Sequence, residues 1–175
     1  GALNVLALEQ TLNEIIKRHE VLRTSFAVVD EQPVQVIAPE VRLSLTVQEL
    51  TGLPEAEREA EVLRLIEAEA QQPFDLGQGP LLRVKLLQLS ESEHVVLLTM
   101  HHIITDGWSL GVLINEVAAL YRAFAQGEAA PLPELSVQYA DFALWQREWL
   151  AGEDLEGQLD YWREQLADAP ALLGL

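Results

Sequence analysis

Apolar side chains at Leu8, Leu12, Ile15 and Ile16, with His19 on the same side, recur at the three-and-four spacing of a helix over residues 6–19. The next stretch, SFAVVDEQPVQVIA, reads as two short strands around a turn at Asp30–Pro33. LSLTVQEL is a third short strand. Residues 54–71 open on Pro54 and are rich in Ala, Glu and Leu, which predicts a helix with Val62, Leu63, Ile66 and Ala70 on one side.

PFDLGQGP breaks that pattern, and two longer strands follow. In LLRVKLLQL, Leu82, Val84 and Leu86 face one way and Arg83 and Lys85 the other, so one face is expected to be wet. After the SESE turn, HVVLLTMH is apolar on both faces, which predicts a central strand. From Trp108, the positions Leu110, Leu113, Ile114, Val117, Leu120, Tyr121 and Phe124 mark the clearest helix of the chain. At 1.5 Å per residue it is about 25 Å long. The loop GEAAPLPELS leads to two more helices, one over 139–150 and one over 155–167. The fold class is therefore α/β: a mixed, largely antiparallel sheet with helices packed on it in two layers.

Composition narrows the picture. A chain of 175 residues with 49% hydrophobic and 22% charged residues is that of a globular domain able to bury a substantial core. The net charge of −17 leaves no basic surplus to neutralise phosphates, which argues against nucleic acid and anionic membranes as partners. Without cysteine there is no disulfide, zinc–thiolate site or thiol nucleophile, and the natural setting is cytoplasmic. Beginning at Gly1 in a helix-like sequence, the chain reads as excised from something longer.

The chemistry concentrates in HHIITDG, residues 101–107, where a buried strand gives way to a helix. Side chains alternate along a strand, so His101 and His102 are expected on opposite faces. One metal ion could not use both imidazoles, and only Asp106 is close in sequence, so a metal site is not expected. Two readings remain. In one, the histidines are hydrogen-bonded core residues and Asp106 caps the next helix. In the other, a histidine at a strand end beside an orienting acid is a general base.

HHIITDG resembles the HHxxxDG signature of the condensation domains of nonribosomal peptide synthetases. RHEVLRTSF (18–26) is similar to the second core motif of that family, YADFALWQREWL (139–150) to its fourth, and GALNVLALEQTLNEIIKRHE to its first helix. The resemblance covers essentially all 175 residues. It implies a chloramphenicol acetyltransferase-like fold, of which this chain is the N-terminal lobe, lacking the first strand and the whole C-terminal lobe. It also implies amide-bond formation between two thioesters carried on the phosphopantetheine arms of upstream and downstream peptidyl carrier proteins, with no cofactor bound directly. An adjacent adenylation domain and the missing lobe would be further partners.

By the motif match, His102 is the base or positioning residue, His101 is structural, and Asp106 is an architectural acid expected to pair with Arg23 or with Arg18. The bland alternative for Arg18 is a cation at a helix C-terminus. Gly107 serves the tight corner, and its amide could support a developing oxyanion. His94 is expected to be exposed at a hairpin end, and His19 packed. Trp145, Trp149 and Trp162 read as core or lobe-packing aromatics, and helix 54–71 as presenting a solvated acidic face. Two other enzymes share the signature, an epimerisation domain and a coenzyme A acyltransferase. DGWSLGVL after the histidines favours condensation. A non-catalytic lobe or carrier-docking surface is the reading without chemistry, and the isolated piece is expected to be inactive.

Overall fold

The computed structural model describes residues 2–170. The chain forms two compact units, residues 1–136 and 137–175. The first begins with helix α1 (Val5–Arg18), capped where Asn4 Oδ1 accepts the Ala7 amide at 3.0 Å. A 3₁₀ turn (Glu20–Arg23) leads into the hairpin β1 (Thr24–Val29) and β2 (Gln32–Ile37). Its two-residue turn puts Asp30 and Glu31 at φ of 49° and 63°, the conformation that matches the twist of paired strands. Then come β3 (Val47–Glu49), α2 (Glu55–Ala70), β4 (Leu82–Gln88), β5 (His94–Met100) and α3 (Gly107–Ala125). The second unit holds α4 (Tyr139–Trp149) and α5 (Glu153–Gln165).

The main sheet has the order β3-β4-β5. Strand β4 pairs antiparallel with β5, as expected, while β3 runs parallel to β4 with α2 as the crossover between them. Helices cover both faces. On one, Ile15 and Ile16 of α1 and Leu120 of α3 close over Leu81 and Leu82, and Leu8 and Leu12 close over Leu86. On the other, Leu65 of α2 meets Leu50 and Leu87, with Val95 and Leu97 beside them. A fully buried leucine contributes about 1.5–3 kcal/mol, so these clusters dominate the stability of the first unit. Ahead of β3, the extended segment 38–46 is tied to α1 by side chains: Asn13 exchanges two 2.9 Å bonds with the backbone of Leu43, and Glu9 accepts the Leu45 amide at 2.8 Å.

Three expectations change. Strand β5, like β3 on the other side, is an edge strand among the described residues, because only β4 pairs with it. Its apolarity on both faces does not report neighbours alongside, and one face is not fully covered either, with Val96 and Leu98 45% and 37% exposed. The charged face of β4 is only partly wet: Arg83 and Lys85 keep some exposure but meet the carboxylate of buried Glu69 at 2.5 and 2.6 Å. The inward side of α2 is consequently Val62, Leu65 and Glu69, whereas Leu63 and Ile66 face outward. The rest of α2 is the solvated acidic face foreseen for it.

Candidate functional site

Strand β5 ends at Met100, and residues 101–106 form the corner into α3. The corner is pinned at several points. The His101 amide donates to Leu81 O at 3.0 Å, the Ile104 amide to His101 O at 3.1 Å, and Ile104 is buried in the main core. The Ile103 amide donates to His101 Nδ1 at 3.0 Å. An amide can only donate, so Nδ1 is the acceptor in this bond. Its ring stands perpendicular to Phe74, centroids 6.0 Å apart. His101 is thus tied into the turn by its ring and its backbone. His102, one residue on, is exposed, and no aliphatic wall closes over it.

Asp106 caps α3: Oδ1 accepts the Ser109 amide at 2.7 Å and the Ser109 hydroxyl at 2.6 Å. The hydroxyl bond above all, then the amide bond, holds its carboxyl below the usual carboxylate range, and the field of His102 adds to this. Among the described residues, the expected ion pair of Asp106 with an RHEVLRTSF arginine is not present. Arg23 binds Glu20 at 3.2 Å and Ala38 O, and Arg18 binds Glu116 at 3.0 Å and Pro133 O. The physical reason is that Asp106 turns toward the free amides of the first helical turn, which compete for a carboxylate at this position. The capping alternative is therefore the one this structure has. Asp106→Asn, whose side-chain oxygen accepts the same bonds, is expected to keep wild-type thermal stability, and Asp106→Ala to lower it; circular dichroism melts check both.

Gly107 is the first residue of α3, and a Cβ there would meet only open space. The corner does not require glycine, because the change of direction occurs in the extended backbone of Asp106, φ −143° and ψ −176°. The second motif acts on α3 further along. Glu116 receives both the Arg18 guanidinium and His19 Nε2, the latter at 2.6 Å, so the end of α1 is locked to the middle of α3. His19 is thus packed as expected, with a carboxylate partner that its sequence neighbours do not reveal. His94 is half-buried rather than exposed. Trp145, Trp149 and Trp162 are 54%, 48% and 57% exposed, so none is a core residue. A cleft of about 820 Å³ lies along α1 and segment 38–46, lined by charges of both signs such as Glu9, Lys17, Arg23 and Arg42, and it does not include residues 101–107.

An exposed imidazole on a rigid corner, next to the amides of a helix start, can accept a proton and offer donors to a developing negative charge. The sequence of residues 1–174 matches the family described as "Condensation domain". The chain is 55% identical over all 175 residues to a linear gramicidin synthase protein of Brevibacillus parabrevis, spanning 3% of that protein. It is similar to the X-domain from teicoplanin biosynthesis, solved in complex with OxyB, with 34% identity, a TM-score of 0.85 and coverage of 100% of this chain and 38% of the other. The starter condensation domain of rhizomide synthetase shares the fold at a TM-score of 0.86 and 23% identity, over 98% of this chain and 41% of that one.

Proposed function

The chain belongs to the condensation-domain family, and from that premise we propose that it is the N-terminal lobe of an acyltransferase that joins two carrier-bound thioesters through an amide bond. The observation that carries the reading is His102, held exposed at the end of β5 by a corner that His101, Ile104 and Leu81 fix. The amine of the downstream aminoacyl thioester attacks the carbonyl carbon of the upstream acyl thioester. A tetrahedral adduct forms, His102 takes a proton from nitrogen, and the adduct collapses with the upstream thiolate as leaving group. An α-amino group has a reference pKa of about 8, so roughly a tenth is already neutral at pH 7. The base matters at the adduct, where such a group contributes about 10²–10⁴-fold. The amide of Gly107 is an N–H donor at the start of α3 for the oxyanion.

Asp106 serves this reading by starting α3 immediately after the corner, and Arg18 and Arg23 serve it by holding α1 and β2 in place. The bare edge of β5, with Val96 and Leu98 exposed, supports the further reading that a first strand and a second lobe outside this chain complete the domain. The substrates arrive on phosphopantetheine arms of peptidyl carrier proteins, an adenylation domain stands beside them, and the setting is cytoplasmic.

The test is product formation on the downstream carrier. The complete domain, given an acyl-loaded upstream and an aminoacyl-loaded downstream carrier, is expected to yield the amide on the downstream arm by intact-protein mass spectrometry. The 175-residue chain alone is expected to yield none. Deuterium exchange at Cα without amide formation would instead make the domain an epimerase. Carrier binding with neither reaction would leave a docking domain.

A further inference from the structure

Behind the corner that carries His102 lies a continuous line of polar and aromatic contacts that the reaction above does not use. It starts at Glu69, buried near the end of α2, whose Oε1 accepts from Arg83 Nε at 2.5 Å. The same guanidinium donates to Glu69 O at 3.2 Å, Gln72 O at 3.0 Å and Pro73 O at 3.3 Å, which with the Nε bond engages four of its five N–H donors and fixes its plane. That fixed cation lies over the ring of Phe74, 3.9 Å from the centroid. Phe74 in turn stands perpendicular to the His101 ring, in the range where aromatic pairs attract. His101 then receives the Ile103 amide on Nδ1, closing the turn of which His102 is the exposed member.

We propose that Phe74, braced by Arg83 and Glu69, is a positioning residue for His102 and acts through the ring of His101. The inference rests on the reading of His102 as the base. Its physical content is that an imidazole can accept the Ile103 amide only in one ring orientation and one tautomer. Without a perpendicular neighbour, the ring can turn, Nδ1 leaves the amide, and the turn holding His102 loosens. Buried aromatic packing alone would need no cation over the ring, and a surface cation alone would not need three backbone carbonyls to orient it. Their combination at the back of one turn is what a positioning role requires.

Two measurements test this in parallel. In the 175-residue chain labelled uniformly with ¹⁵N, wild type is expected to show His101 Nδ1 unprotonated and the Ile103 amide slow to exchange. Phe74→Leu, which keeps an apolar side chain against the core, is expected to mix the His101 tautomers and speed Ile103 exchange at least about tenfold. Phe74→Tyr, which keeps the π face, is expected to restore both signatures. In the complete domain, Phe74→Leu is expected to lower kcat about tenfold with KM little changed, the order of a sub-ångström misplacement, while Phe74→Tyr stays near wild type. Should Phe74→Leu not fold, Arg83→Lys, which keeps the charge but loses the planar fork, is expected to move the same readouts in the same direction. A folded variant with a wild-type His101 signature, or with wild-type kcat, overturns the proposal. His102→Ala separates the two ideas: an unchanged rate there sinks the base reading, and the His101 signature still decides the bracing.

Discussion

Replacing His102 with alanine in the complete domain is expected to slow amide formation by about 10²–10⁴-fold without changing the stability of the fold. The two halves of that expectation come from different observations. His102 is exposed and makes no hydrogen bond among the described residues, so removing its ring costs the folded state little. The corner is held by its neighbours: His101 through Leu81 O and the Ile103 amide, Ile104 through the core, Asp106 through Ser109. A single-turnover assay with loaded carriers, alongside urea denaturation of the same variant, separates lost chemistry from lost structure. Full activity in a folded variant would remove His102 from the reaction. Lost activity together with lost stability would make it a structural histidine.

The second large effect concerns stability. Glu69→Ala is expected to destabilise the chain by about 2 kcal/mol, below the range for a fully buried pair because the cations it leaves behind can reach water; Arg83 and Lys85 are 24% and 39% exposed, against 3% for Glu69. The wild-type chain should also weaken in acid. The bond from Lys85, and after it the one from Arg83, holds the Glu69 carboxyl below its ordinary value of 4.5. The unfolded chain therefore binds that proton more readily than the folded one. The stabilisation is complete above about pH 4.5 and is lost as pH falls through the lowered folded value. Urea midpoints measured from pH 7 downward should fall along this limb in wild type and fall less in Glu69→Ala. Parallel curves would show that the buried carboxylate does not set the acid response.

Glu69 also shows where the sequence misleads. The helix over residues 54–71 is plain from its Ala, Glu and Leu content, but local patterning places Leu63 and Ile66 on its inward side, because a glutamate is assigned to water by default. Only β4, which arrives fourteen residues later with Arg83 and Lys85, makes that glutamate an inward residue, and no local periodicity carries that information. The same limit applies to β5. Its apolar run is legible, yet its place at the edge depends on which strands lie alongside. At the site, the short-range signals serve best. HHIITDG locates the corner and the aspartate before a helix does cap it, but β5 ends at Met100, so His101 and His102 sit in the turn and strand alternation does not set their directions. The partner of Asp106 is where the reading fails, since a side chain near free helix amides is satisfied locally before a distant arginine can reach it. Arg18 instead finds Glu116, whose position on α3 lies ninety-eight residues away in sequence.

The open side of β5 has a consequence for how such a chain survives in solution. Free backbone groups flanked by aliphatic side chains are a template for sticking to another molecule of the same kind. Here every copy also carries seventeen excess negative charges, and like-charged molecules keep their distance until salt or acid shields them. The same acidity thus acts as a colloidal guard over an open sheet edge.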